Sequence, residues 1–230
     1  EGEDTIYIDT GNYIIGDSDV AVMGNADQGR VGAPVYVRGN TNAMTSVFNR
    51  TGWGGGPTTI LSINGSYINF SDVVFDGGHM AVAGQGTVLR NLEFRSGNLT
   101  LNGADQDVAD VTLATGTLSV AGAPVTVRRA RVQAGQVTLA GTNALLESSL
   151  VYGGVGPAVQ VNGSAITLRN NTLATGGDQV RKAGTGSATL ENNIIIADGA
   201  DSFCIRLDAG TLNSDYNNLI ARNGAWIGNR

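Results

Sequence analysis

The sequence predicts an all-β solenoid with three short strands per coil and coils of about 19–22 residues. Three observations carry that prediction. Asp72, Asn91, Asp110, Arg129 and Ser148 are spaced by 19 residues, and Asn170, Asn192 and Ser214 follow at spacings of 22. Two residues before these marks stand Phe70, Leu89, Val108, Val127, Leu146, Leu168, Leu190 and Leu212. Three residues after them stand Phe75, Phe94, Leu113, Val132, Val151, Leu173, Ile195 and Asn217, and only Asn217 is not large and apolar. Between the marks, apolar and polar residues alternate in short runs broken by Gly, Asn and Ser. A unit of this length cannot bury its apolar face alone, so the repeats must stack and share one core.

The opening region, residues 1–33, contains Thr5-Ile6-Tyr7-Ile8 and Tyr13-Ile14-Ile15, two β-like runs separated by Asp9-Thr10-Gly11-Asn12, a hairpin or corner sequence. It is expected to supply the first strands and to cap the open end of the stack, because a terminal coil presents unpaired backbone groups. Residues 34–230 are expected to form one continuous domain. Its strands begin at residues 34–38, 45–48 and 59–63, an early coil stretched by a loop at residues 50–57, and the regular stack starts at Tyr67.

The coil at residues 87–105 shows the plan. Thr87-Val88-Leu89-Arg90 is a first strand, Asn91 a corner, Leu92-Glu93-Phe94-Arg95 a second strand, Ser96-Gly97 a corner, and Asn98-Leu99-Thr100-Leu101 a third strand closed by Asn102-Gly103. Alternation sends Leu89, Leu92, Phe94, Leu99 and Leu101 inward and Arg90, Glu93 and Arg95 outward. A third-strand ladder, Met80, Leu99, Leu118 and Val137, keeps the 19-residue interval, and residues 152–157 then add three residues at one corner. Asn170–Asn192 and Asn171–Asn193 fall at a corner where Asn accepts left-handed geometry and passes amide hydrogen bonds between coils. Arg128, Glu147, Arg169 and Glu191 form an outward column of alternating charge.

Composition narrows the function classes. The net charge is −6, which argues against nucleic acid as the main partner, since affinity for phosphate comes from clustered Lys and Arg. No apolar run approaches the roughly 20 residues of a membrane-spanning helix, and there is no N-terminal signal segment, so the chain reads as a mature or excised soluble piece of a larger protein. The 34 Gly suit tight corners. Cys204, the single cysteine, sits in Phe203-Cys204-Ile205 and is expected to be a buried thiol.

Leu168-Arg169-Asn170-Asn171-Thr172-Leu173, Leu190-Glu191-Asn192-Asn193-Ile194-Ile195 and Ser214-Asp215-Tyr216-Asn217-Asn218-Leu219 resemble the right-handed parallel β-helix superfamily, the pectate-lyase-like type with carbohydrate-binding and sugar-hydrolase repeats. The opening Asp4-Thr5-Ile6-Tyr7-Ile8-Asp9-Thr10-Gly11-Asn12-Tyr13 is similar to the first coil of large secreted bacterial β-helix proteins. The resemblance implies a right-handed fold, an extracellular or cell-surface bacterial setting and a possible polysaccharide or glycan partner. Further coils or domains of a parent protein are implied as well.

Catalytic motifs are weak by comparison. Asp105-Gln106-Asp107 with Asp110 reads as a solvated turn rather than a calcium cluster, so calcium has no clear motif. Asn171-Thr172-Leu173 lacks the Asp of the polygalacturonase pattern, and Val180-Arg181-Lys182 is a faint echo of its Arg-Ile-Lys segment. His79, the only histidine, follows Asp76-Gly77-Gly78 and reads as a solvent-facing turn residue rather than a general base. One His and one Cys build neither a Ser-His-Asp site nor a zinc site.

If a saccharide groove exists, the outward columns of the second strand should form it. Asp76, Glu93, Arg95, Arg131, Gln133, Tyr152 and Tyr216 are the candidate ligand-binding residues, and Glu93, Arg95 and Arg131 the candidates should the face be catalytic. Leu150, Ile194 and Ile196 point outward on the same face, marking a covered or partner-contacting patch. The sequence therefore favours a noncatalytic module, a rigid stalk, adhesive or glycan-contacting segment. A lyase or hydrolase of uronate-containing polymers is the alternative.

Overall fold

The computed structural model describes residues 4–16, 19–41, 45–50 and 59–229, and the loop expected at residues 50–57 lies, past Arg50, outside them. The described residues form a β-solenoid of three strands per coil with every inter-coil ladder parallel. First strands stack as Leu89, Val108, Val127, Leu146, Leu168 and Leu190. Second strands stack as Phe94, Leu113, Val132, Val151, Leu173 and Ile195. Third strands stack as Met80, Leu99, Leu118, Val137, Val159, Val180 and Ile205. All of these residues except Ile205 are buried and share one continuous core, so the period read from the sequence is the period of the core.

The polar marks of the repeat are a column of left-handed corners. Asp72, Asn91, Asp110, Arg129, Ser148, Asn170 and Asn192 have φ between 50° and 63°. One such residue bends a strand without ending its ladder, so the strands Ile68–Asp76, Val88–Ser96 and Gln106–Leu113 each run through their corner. Asn and Asp tolerate this region best, but Arg129 pays a Cβ clash that its neighbour offsets. Its guanidinium donates to both carboxylate oxygens of Asp110 at 2.7 Å, one coil below.

The corner between second and third strands follows different chemistry. A Cβ on Gly97 would lie 1.8 Å from the Gly78 oxygen, one on Gly116 2.0 Å from the Gly97 oxygen, and one on Gly135 1.9 Å from the Gly116 oxygen. Only glycine permits coils to stack that closely here. Inside the bend, Asn171 Nδ2 donates to Asn193 Oδ1 at 3.0 Å, and Asn193 Nδ2 donates to Asn217 Oδ1 at 2.9 Å. The expected amide ladder is thus present and buried at Asn171 and Asn193.

The two ends of the stack add detail. In the opening region Thr5–Tyr7, Gly11–Ile14 and Ala21–Met23 pair in parallel with Val35–Arg38, Ser46–Asn49 and Thr59–Ile63. The Asp9-Thr10-Gly11-Asn12 segment is accordingly a corner, not a hairpin. The last coil is out of step with the sequence ruler. Leu190 pairs with Ser214 and Ala188 with Leu212, an interval of 24 residues, because the third-strand step from Val180 to Ile205 has grown to 25 at the corner around residues 198–202. The corner mark therefore moves from Ser214 to Tyr216, with φ 53°.

Candidate functional site

The outer face of the second strands carries most of the candidate residues in two groups. Glu93, Thr112, Arg131, Leu150, Thr172 and Ile194 form one ladder, and Gln133 stands beside Tyr152 in the next. Arg95 Nε donates to Glu93 Oε1 at 3.1 Å, and Arg95 Nη1 lies 3.7 Å from Asp76 Oδ2. Asp76 is displaced from the expected row: a bulge after Phe75 pairs it with Ser96 rather than Arg95. This first group sets two carboxylates around one guanidinium, so Arg95 is fully committed and the group is net negative.

The second group keeps its charge open. Arg131 donates from Nε and Nη2 to Tyr152 Oη at 3.1 and 2.7 Å and lies 5.4 Å from the centre of the Tyr152 ring. No carboxylate pairs with Arg131 among the described residues, and both Arg131 and Gln133 are exposed. Beside them the glycine corner leaves a depression of about 210 Å³, lined by Thr117, Gly135, Gln136, Gly154 and Gly156. It lies where residues 152–157 interrupt the regular spacing, with Val155 94% exposed on its rim. The break in the ruler thus shapes a concavity next to Arg131.

Tyr216 does not join that face. The 24-residue step places it at the corner, 81% exposed, and Asn218 and Ile220 continue the two ladders in its place. The apolar patch is milder than expected, because Leu150 and Ile196 are half-buried and Ile194 is 43% exposed.

Other residues take different roles from those expected. His79 is half-buried, and its Nδ1 accepts the Asn98 backbone N–H at 2.8 Å, while Asn98 Oδ1 accepts that of Thr117 at 2.7 Å. It begins a side-chain ladder rather than facing solvent in a turn. Asp107 is not in a solvated turn either. It lies on the strand Gln106–Leu113 between Arg90 and Arg128, whose Nη2 atoms reach its Oδ2 at 2.5 and 2.8 Å. Gln106 is buried and donates to the carbonyls of Val82 and Gly84 at 3.1 Å. Of the alternating column, Arg169 and Glu147 pair at 2.8 Å.

The sequence reading missed a charged cluster on the third-strand face. Arg181 and Arg206 are ladder partners, and Asp208 Oδ2 accepts from Arg181 Nε at 2.7 Å while its Oδ1 accepts from Arg206 Nε at 3.0 Å. Arg206 also lies 3.5 Å from Asp178 Oδ2 and 5.9 Å from the Phe203 ring. Hydrogen bonding from Arg181, then from Arg206, holds the Asp208 carboxyl below the usual range, and Asp208 in turn raises Arg206. The 25-residue step hid the pairing, since a fixed period of 22 does not bring Arg206 beside Arg181.

Two titratable groups face the core. Lys182 is fully buried, its Nζ donating to the Gly184 carbonyl, and burial lowers its pKa. Cys204 is buried as expected, its thiol 3.3 Å from the Ile220 oxygen, and burial raises its pKa. Among the described residues no group of three or more His, Cys, Asp or Glu is placed to hold a metal ion, and no helix is long and apolar enough to cross a membrane.

No protein-family model and no curated protein matches the sequence. Solved structures do. A pectate lyase superposes with a TM-score of 0.69 at 13% identity, covering 93% of this chain and 69% of its own. The A-module of a mannuronan C-5 epimerase from Azotobacter vinelandii gives 0.59 at 12% identity over 100% of this chain and 91% of its own. An alginate lyase from Paenibacillus sp. gives 0.59 at 14% identity over 98% and 93%. At these identities the likeness is one of fold, and it sets the hand of the coil: the chain has the pectate-lyase-like, right-handed parallel β-helix fold.

Proposed function

We propose that this chain is a noncatalytic β-helix module of a secreted or cell-surface bacterial protein that contacts an acidic polysaccharide through its second-strand face. The observation that carries the reading is the state of Arg131: an exposed guanidinium with no carboxylate partner among the described residues, oriented by the Tyr152 oxygen and ring beside a glycine-rich corner. A planar, forked donor of this kind fits a carboxylate, and Tyr152 and Gln133 add an apolar ring and an amide for a sugar's faces and hydroxyls. Pectate, alginate and mannuronan, named in the titles of the similar folds, are the polymers to try first.

The noncatalytic half of the reading is supported by how the other candidates are held. Proton transfer needs a group poised near the working pH and free to reach substrate. Glu93 and Asp76 are occupied by Arg95, and Lys182 and Cys204 point into the core. The catalytic alternative, a lyase or hydrolase working through Glu93, Arg95 and Arg131, is favoured by the names of the similar structures alone.

Binding to polygalacturonate and alginate, measured by calorimetry or affinity electrophoresis, tests both readings together with product formation. Saturable binding that drops at least tenfold in Arg131→Ala, with no unsaturated product and no new reducing ends, is the expected result. Turnover abolished by Arg131→Ala would overturn the noncatalytic reading, and binding indifferent to Arg131 would move the site elsewhere.

A further inference from the structure

A second concave surface lies on the first-strand face near the start of the stack, a different side of the prism from Arg131. Tyr7 and Arg38 are ladder partners on adjacent strands, and Arg38 is followed in the same ladder by Ser71 and Arg90. Tyr36, two residues before Arg38 and on the same face, is the partner of Asn69. Two adjoining depressions open here, one of about 240 Å³ against Tyr36, Asn69, Ser71 and Arg90, the other of about 370 Å³ against Tyr7 and Asn40. Arg38 lines both.

The charges of this surface are unequal in their commitments: the carboxylate of Asp72 lines the smaller depression and accepts from Asn91 Nδ2 and Ser71 Oγ at 2.7 and 2.6 Å, and that of Asp9 lines the larger and accepts from the Thr10 backbone at 2.7 Å. Arg90 is spent on Asp107. Arg38 is exposed, pairs with no carboxylate among the described residues, and lies 4.9 Å from the centre of the Tyr36 ring. An arginine stacked on a tyrosine keeps its outer N–H fork directed at whatever enters, and the stacking fixes that fork before a ligand arrives. Tyr7, 76% exposed, offers a second flat ring beside it. Asn69 supplies an amide within the same concavity, and the Ser71 hydroxyl, which donates to Asp72 Oδ2 at 2.6 Å, leaves its oxygen as an acceptor for sugar hydroxyls.

We infer that this first-strand surface is a second binding site, for a carboxylate-bearing sugar ring, in which Arg38 takes the carboxylate and Tyr7 and Tyr36 pack against the ring. It acts independently of Arg131. With both sites filled, one rigid module holds two acidic sugar segments on different faces, so a polymer is retained more strongly than either site alone would retain it.

Trigalacturonate and the neutral trigalactose, titrated into the full chain with side-chain NMR signals of arginine Nε–H followed, separate the possibilities. Trigalacturonate should shift the Arg38 signal saturably, and Arg38→Gln should remove that saturation while leaving the Arg131 response intact. Tyr7→Ala, an exposed substitution that spares the fold, should weaken the Arg38-site affinity at least threefold. A saturating Arg131 response without any at Arg38 would refute this second site and leave the Arg131 reading standing. The reverse pattern would refute the Arg131 reading alone. Equal response of Arg38 to the neutral trisaccharide would overturn the assignment of a carboxylated ligand.

Discussion

Asp208 ties Arg181 and Arg206 together across neighbouring strands, accepting from one at 2.7 Å and from the other at 3.0 Å. Each guanidinium would otherwise face a like charge about one strand spacing away, roughly 4.8 Å. The carboxylate therefore suppresses two positive charges that could meet an acidic ligand. Asp208→Asn should release Arg181, while Arg206 keeps Asp178 at 3.5 Å: retention on immobilised polygalacturonate rises at low salt, and the gain disappears as salt screens it. The stability cost should stay below about 1 kcal/mol, since these groups are partly exposed. Unchanged retention would show that this cluster serves the fold only.

How much of this was legible in the sequence depends on what fixed each position. Leu146, Leu168 and Leu190 could be placed from spacing alone, because a residue buried in a stacked core must recur at the coil period. Corners were legible as positions but not as partners. Arg129 reads like any surface arginine until its left-handed φ and its grip on Asp110 are seen. Tyr216 was misplaced because the added residues lie in a polar corner, where nothing apolar records the change of register. The Arg181–Arg206 pairing was lost for the same reason, whereas Arg131, Gln133 and Tyr152 lie before that slip and came together as expected.

Lys182 is the one ammonium turned into the core, and its burial makes stability depend on pH in a definite direction. The folded chain holds its pKa below that of the unfolded chain, about 10.4. Between the two values the unfolded state binds more protons, so stability rises with pH through that window, and below it the penalty is fully present. Lys182→Met should therefore stabilise at neutral pH by about 1–3 kcal/mol, the scale on which buried polar groups cost stability. The advantage over the parent should shrink as pH approaches the unfolded value. Denaturant melts at neutral and alkaline pH measure it, and a gap that does not narrow would mean Lys182 is not paying a charge penalty.

The Asn193 side chain holds four hydrogen bonds inside the bend. Its Oδ1 accepts from the Asn171 backbone and side-chain nitrogens at 2.9 and 3.0 Å, and its Nδ2 donates to Leu168 O and Asn217 Oδ1, both at 2.9 Å. Asn193→Ala leaves buried groups unpaired, each worth about 1–3 kcal/mol. Chemical denaturation should show a loss of about 2–4 kcal/mol, whereas Asn192→Ala one residue earlier, exposed at the left-handed corner, should cost only its backbone preference, about 1 kcal/mol.

The register of the whole stack can be tested at two adjacent residues. Leu168 is fully buried between Leu146 and Leu190, while Thr167, its neighbour in the same strand, is half-buried on the outer face between Leu145 and Thr189. An aspartate at 168 has no partner in a dry ladder and must be buried charged or protonated, either at a cost beyond about 4 kcal/mol, a large part of a domain's stability. Because every coil covers its neighbours' apolar cross-sections, that loss should not stay local. Leu168→Asp should lower the midpoint of the whole transition or abolish folding, as followed by circular dichroism. Thr167→Asp should stay within about 1 kcal/mol of the parent, since an outward strand position leaves the charge in water. Comparable losses at the two positions would refute the inward and outward assignment on which the Arg131 and Arg38 surfaces both depend.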